Sequence, residues 1–259
     1  MTGPAVSADQ QDDELVVPST FNMSQTPAIL RELATHGPLW PEENGWILCG
    51  KSQSESPVRL HLPLATPPIR EEVYLEDYLL TIGDVPRRFA ICLMRAGSTA
   101  AGFWVDGELM HHRVITKYVV RGRGKAQPTH LKTRGKSRYG SRLRLQNYRL
   151  WLEDTRDLLD RYTSDGGSGG PAGEPLIEGR IKDDPLIVWM SAPDRILADF
   201  YSQTPPATLL RSALRHIPTH VRTPRFKELQ RIHWLLFNGR LVGDESAAAS
   251  TSSGPCPKK

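Results

Sequence analysis

The chain has 259 residues, 39% of them apolar and 24% charged, with a formal net charge of +4. That length buries a substantial core as one large domain or two small ones, and no apolar run approaches the ~20 residues of a membrane helix. Three cysteines (Cys49, Cys92, Cys256) form no C-x-x-C pair, and the acidic start at Asp12, Asp13 and Glu14 has no basic region; the composition argues against a disulfide scaffold, a zinc ribbon, a membrane protein and a secretory signal, and for a cytoplasmic protein.

Residues 1–17 are polar and acidic and read as a disordered arm. Residues 18–87 read as an N-terminal α+β extension. Within them, 27–36 (PAILRELATH) predicts a short helix stopped by Gly37-Pro38, and 45–50 and 58–64 predict strands. The second strand alternates, with Val58, Leu60, Leu62 and Leu64 on one face. Residues 73–82 fit a helix or a strand. From Arg88 the pattern sharpens. Residues 89–94 (FAICLM) predict a buried strand, and 100–105, Asp106-Gly107 and 108–120 predict a hairpin, since Asp-Gly supplies the positive φ angles of a type I′ turn.

Residues 121–137 (RGRGKAQPTHLKTRGKS) are too polar and glycine-rich for a regular element and read as a projecting loop. A long helix follows over 137–162, with Tyr148, Leu152, Leu159 and Tyr162 on its apolar face and Arg138, Arg142 and Arg149 on another. Residues 166–173 form a flexible loop, 186–190 a buried strand, 193–202 a helix and 215–222 a further strand. Thr223-Pro224 supplies an N-cap and first-turn proline for a helix ending at Asn238-Gly239, and 243–259 read as a disordered tail. The order describes a layered α/β domain over 88–242.

Charge is concentrated in one place. Twelve Lys or Arg lie between Arg113 and Arg149, and no acid interrupts the chain from Leu109 to Leu152, which leaves the remainder with 21 positive against 29 negative residues. So many like charges repel unless a polyanion or fixed carboxylates offset them, and nucleic acid is the usual partner of such a stretch. The cations crowding the start of the long helix oppose its dipole, a conflict that a bound anion would relieve. Other chemistries find little support. Gly135-Lys136-Ser137 imitates the end of a phosphate loop, but His130 stands where that motif needs glycine. His216 and His220 lack accompanying cysteines, His111 and His112 point to opposite faces of a hairpin, Cys92 reads as a core thiol, and no G-x-S-x-G elbow is present.

Within the loop, Gly122, Gly124 and the small Ala126 precede Gln127, interleaved with Arg121, Arg123 and Lys125. Glycines let a backbone approach a ligand, and the cations suit phosphates. A neutral amide at the tip both donates to and accepts from water without titrating, so it is suited either to orienting a hydrolytic water or to leaving a backbone N–H free to stabilise an oxyanion.

The stretch YVVRGRGKAQPTHLKTRGKSRYGSRLRLQN (118–147), preceded by GSTAAGFWVDGELMHHRVITKYVV (97–120), resembles the signature segment of the VLRF group, the Vms-like release-factor relatives. The resemblance implies an RNase H-like α/β domain like the middle domain of eukaryotic and archaeal release factors. It makes Gln127 the catalytic glutamine, with Gly122, Gly124 and Ala126 shaping the loop backbone. It implies that Arg121, Arg123, Lys125, Lys132, Arg134, Lys136, Arg138 and Arg142 hold RNA, with peptidyl-tRNA and large-subunit ribosomal RNA as partners, and neither DNA, metal nor cofactor. The chain departs from the release-factor tip by reading Gly-Lys-Ala-Gln instead of Gly-Gly-Gln. The activity so implied is release of nascent chains from stalled peptidyl-tRNA, by ester hydrolysis or by cleavage near the CCA end. A non-catalytic RNA-binding ribosome-associated protein, or an adaptor for an acidic protein, fits the same charge pattern.

Overall fold

The computed structural model describes residues 19–52, 56–69, 73–119, 136–163, 185–203 and 213–243. The chain divides into two units, Met1–Gly83 with Asn238–Lys259, and Asp84–Phe237.

The first unit opens with β1 (Thr20–Asn22) and a 3-10 turn, Met23–Gln25. A capping box closes this turn: the Asn22 side chain accepts from the Gln25 amide at 3.0 Å, and Gln25 Oε1 accepts from the Asn22 amide at 2.9 Å. Pro27 then sits in the first turn of α1 (Thr26–Thr35), whose Ile29, Leu30 and Leu33 form a buried stripe at helical spacing. β2 (Trp40–Pro41), β3 (Ile47–Lys51) and β4 (Pro57–His61) follow, then α2 (Leu75–Thr81), so the ambiguous segment at 73–82 is helical. Val58, Leu60 and Leu62 are buried at alternate positions, as the strand period requires. They join Phe21, Leu48 and Tyr78 and the α1 stripe in one core.

The second unit holds β5 (Arg88–Arg95), β6 (Ser98–Val105), β7 (Glu108–Thr116), α3 (Lys136–Thr163), β8 (Ile187–Ser191), α4 (Asp194–Gln203), β9 (Leu214–His216) and α5 (Phe226–Phe237). Its sheet runs β7-β6-β5-β8-β9. β5, β6 and β7 are antiparallel neighbours, whereas β5, β8 and β9 are parallel. The sheet is thus mixed, an antiparallel β7-β6-β5 half joined to a parallel β5-β8-β9 half. Asp106 and Gly107 turn the hairpin with φ of 48° and 84°, both positive as the Asp-Gly pair requires. On one face, Ala90, Cys92, Met94, Ala101 and Phe103 pack against Trp151, Leu152 and Leu159 of α3 and Phe200 of α4. On the other, Phe89 and Trp104 stack on His233 of α5, with Phe237 beside them. A sheet covered on both faces explains the uninterrupted apolar run of β5.

After α5 the chain enters β10 (Asn238–Gly243), which pairs antiparallel with β1 and β4 and completes a first-unit sheet of order β1-β10-β4-β3-β2. Three sequence expectations change here. The layered domain expected to reach residue 242 gives way at 237, because the last strand belongs to the other sheet. The helix does end at Asn238-Gly239, but the chain passes straight into a strand there, and Gly239 is small because a Cβ would run into the Phe21 ring and stand 2.7 Å from the His61 carbonyl oxygen. α5 begins at Phe226, two residues beyond Pro224. The strand expected at 215–222 is confined to Leu214–His216, because Pro218 has no amide to continue a ladder. The arm at 1–17, the loop at 121–135, the glycine-rich segment at 166–173 and the tail from 244 lie outside the described residues.

Candidate functional site

Arg121, Gly122, Arg123, Gly124, Lys125, Ala126, Gln127, Lys132 and Arg134 lie outside the described residues, and Lys136 and Arg138 are placed only by the backbone of α3. What the structure describes is how both ends of this segment are fastened.

The incoming end leaves β7, the edge strand of the second sheet. Just beyond it, the Lys117 amide donates to the Gly97 carbonyl at 2.8 Å. Gly97, in the turn between β5 and β6, has φ of 78°, and a Cβ there would stand 2.5 Å from the Lys117 carbonyl oxygen and 2.6 Å from a Val119 methyl. Both the conformation and the approach demand glycine. One residue on, the Tyr118 carbonyl accepts from Asn147 Nδ2 of α3 at 2.9 Å. Lys117 Nζ meets Asp154 Oδ2, also on α3, at 2.9 Å. The acid-free stretch is thus answered at one cation by a fixed carboxylate.

The outgoing end is the start of α3, and α3 is locked to the sheet by a buried polar cluster. The Trp151 indole N–H donates to Thr99 Oγ1 at 2.8 Å, Thr155 Oγ1 donates to the Trp151 carbonyl at 2.9 Å, and the two threonine hydroxyls lie 2.9 Å apart. Thr99, Trp151 and Thr155 are fully buried, so every polar atom in the cluster has its partner where water cannot serve. Tyr148 adds a tie to α4 by donating to Asp199 Oδ2 at 2.7 Å. Burial and that carboxylate hold the Tyr148 phenol well above its usual range.

N-terminal to this cluster, no residue from Gly140 to Leu150 is buried. Arg142 and Arg149 are exposed and Arg144 half-buried, and none of them has an ion pair among the described residues. Acids return only at Glu153. Exposed Arg113 on β7 belongs to the same set. Uncompensated guanidinium groups beside apolar stems are suited to gripping phosphate oxygens in bidentate fashion.

His111 Nδ1 lies 2.8 Å from the Tyr162 hydroxyl, on the α3 face. His112 packs its ring on Phe226 at 4.3 Å, toward α5, so the pair cannot share a metal. Burial, with Arg161, His112 and Arg113 nearby, holds the His111 pKa below its ordinary value. Burial pushes the Cys92 thiol up to about 12, leaving it no nucleophile. His216 is exposed on β9, and His220 lies against Arg95. No group of three metal-ligating side chains occurs among the described residues, and no helix among them is long and apolar enough to cross a membrane. Sequence reasoning missed Asn147, Asp154, Thr99 and Thr155. The only signal for Thr155 was a polar residue at helical spacing from Trp151 and Leu152 on an apolar face.

A family model described as Bacteroidetes VLRF1 release factor matches residues 89–167, a span that begins in β5, takes in the whole segment between β7 and α3, and passes the end of α3. No curated protein matches the chain. Among solved structures, a chain described as the Vms1 mitochondrial localization core is similar with a TM-score of 0.41 and 10% identity, covering 86% of this chain and 90% of that one. Over residues 89–167, the part of the chain that includes the cationic segment is similar to the VLRF-type release-factor family.

Proposed function

We propose that this chain is a ribosome-associated rescue factor of the cytoplasm that releases nascent peptides from peptidyl-tRNA, with Gln127 as its catalytic residue. The observation that carries the reading is the family match over 89–167, which spans Gln127 and all twelve clustered cations from Arg113 to Arg149. Arg121, Arg123, Lys125, Lys132, Arg134, Lys136, Arg138 and Arg142 grip phosphates of tRNA and large-subunit ribosomal RNA. Gly122, Gly124 and Ala126 bring the backbone close to the acceptor end. The Gln127 amide accepts from and orients a water whose oxygen attacks the ester carbonyl carbon. The ester bond to the terminal ribose breaks, and the water's proton passes to the departing ribose oxygen. Positioning of this kind is worth several powers of ten in rate without any titrating group.

The test is a release assay on purified ribosome-bound peptidyl-tRNA. Gln127→Ala should lower the release rate at least ~100-fold while ribosome binding is retained. Equal release by wild type and variant would remove Gln127 from the chemistry. Retained binding with no release from any form would leave an RNA-binding protein without catalysis. The RNA product separates two routes: intact tRNA reports ester hydrolysis, whereas a shortened tRNA ending in a cyclic phosphate reports attack by a ribose 2′-hydroxyl on the neighbouring phosphorus.

A further inference from the structure

We infer that Asn147 and Asp154 of α3 are positioning residues that fasten the entry of the cationic segment to the same helix that carries its exit. The inference rests on the release reading for its activity arm only.

Three ties meet on two consecutive residues. The Lys117 amide donates to Gly97, its ammonium pairs with Asp154, and the Tyr118 carbonyl accepts from Asn147. Asn147 and Asp154 are seven residues apart, two helical turns, so they present to the same side of α3. α3 itself is held through Trp151, placed between them in sequence, by the buried Thr99–Thr155 cluster. The entry and exit of a sixteen-residue segment (120–135) are therefore referred to one rigid helix. Without those ties, the Gly97 bond is the one remaining hydrogen bond of Lys117 and Tyr118 among the described residues.

The arrangement divides the cations into two kinds. Lys117 belongs to the acid-free stretch but its ammonium is committed to Asp154, whereas Arg142 and Arg149 have no ion-pair partner among the described residues. Lys117 therefore acts through geometry and the arginines through phosphate contact. A group that positions lowers the maximal rate when removed, because displacement of about 1 Å at the reacting centre costs on the order of 10²-fold. A group that binds phosphate lowers affinity and reduces the salt dependence of binding.

The experiment compares full-length wild type with Asn147→Asp, Asn147→Gln, Lys117→Asp and the double exchange Lys117→Asp with Asp154→Lys. Hydrogen exchange of the Lys117, Tyr118 and Val119 amides is read first, then single-turnover release from peptidyl-tRNA complexes across a salt series. Asn147→Asp places a carboxylate against the Tyr118 carbonyl. It should speed exchange at these amides at least tenfold and lower the maximal rate tenfold or more, with half-saturating concentration and salt slope within twofold of wild type. Asn147→Gln keeps the donor and should recover most of both losses. The double exchange should restore what Lys117→Asp loses. Unchanged exchange in both Asn147→Asp and Lys117→Asp overturns the inference. So does a reduced salt slope for Lys117→Asp that the double exchange fails to restore. If wild type releases no peptide, the release reading falls while the exchange arm still decides the fastening. Should Asn147→Asp fail to fold by circular dichroism, the Lys117→Asp and double-exchange pair decides alone.

Discussion

β4 and β5 bury their side chains in different patterns, and the difference follows from what covers each sheet. In β4, buried Val58 and Leu60 alternate with half-buried Arg59 and His61. In β5, every residue from Arg88 to Met94 is buried. β5 lies at the middle of a sheet packed by α3 and α4 on one face and α5 on the other, whereas β4 contributes one row to a single apolar cluster. The second sheet also changes across its width. Three of its strands are well covered, but β7 exposes seven of nine residues, among them Met110, Arg113 and Val114. In sequence, the acid-free run of cations starts on this edge strand, at Arg113, and runs on into α3. A rigid, doubly covered centre with a sparsely covered, basic edge suits a scaffold that holds a binding segment outside its core.

The substitution expected to break this contrast most strongly is Trp151→Ala. It removes the largest fully buried side chain and orphans the Thr99 hydroxyl at the same time. It should destabilise the second unit by about 3–5 kcal/mol, read as a fall in the urea midpoint. Trp151→Phe keeps most of the volume and loses only the indole donor, so it should cost about 1–3 kcal/mol. Equal losses for the two would mean that the polar cluster, rather than the cover, dominates.

The doubly covered sheet was also the part most legible in the sequence. FAICLM, the Asp-Gly turn and LIVWM each carry strong local signals, and all three form strands or turns as expected. The return of the chain into the first sheet was not legible, because β10 is a short run that becomes a strand only by pairing with β1 and β4. Asn238-Gly239 carried the local mark of a helix end, and α5 stops at Phe237 as that mark requires, but no local signal announced the strand that follows. At the site, the cations and Gln127 stood out by composition. Asn147 and Asp154 did not, because a single amide or carboxylate on a helix acquires meaning only from the carbonyl or ammonium opposite it.

Smaller effects are expected at two glycines that sharpen the contrast between a structural and a functional close approach. Gly239→Ala drives a methyl into the Phe21 ring and the His61 carbonyl. It should cost about 1–3 kcal/mol in the first unit and leave RNA affinity unchanged. Gly97→Ala meets the Lys117 carbonyl at 2.5 Å in a positive-φ turn. It should cost a comparable amount and also depress the release rate, since it pushes directly on the segment entry. A Gly97→Ala variant with reduced stability and full release would separate that turn from the site.

The last expected effect, absent at neutral pH, is a pH dependence carried by His61. Burial, together with the Arg240 and Arg59 guanidinium groups, lowers its pKa from 6.5 to about 4. Between these values the unfolded chain takes up a proton that the folded chain refuses. The contribution is therefore complete above pH 6.5, declines as the pH falls toward 4, and changes no further below it. His61 pairs across β4 with Arg240 and Ile47, so amides of β3, β4 and β10 should exchange faster over that window. In the second unit, burial also lowers His233 among Phe89, Trp104 and Phe237. His61→Gln should accordingly flatten the acid response of β3, β4 and β10 while that of β5 and β6 persists. If His61→Gln leaves the response of β3, β4 and β10 unaltered, the acid sensitivity of the first sheet arises elsewhere, with Glu42 and its Arg59 partner at 3.3 Å the next groups to replace.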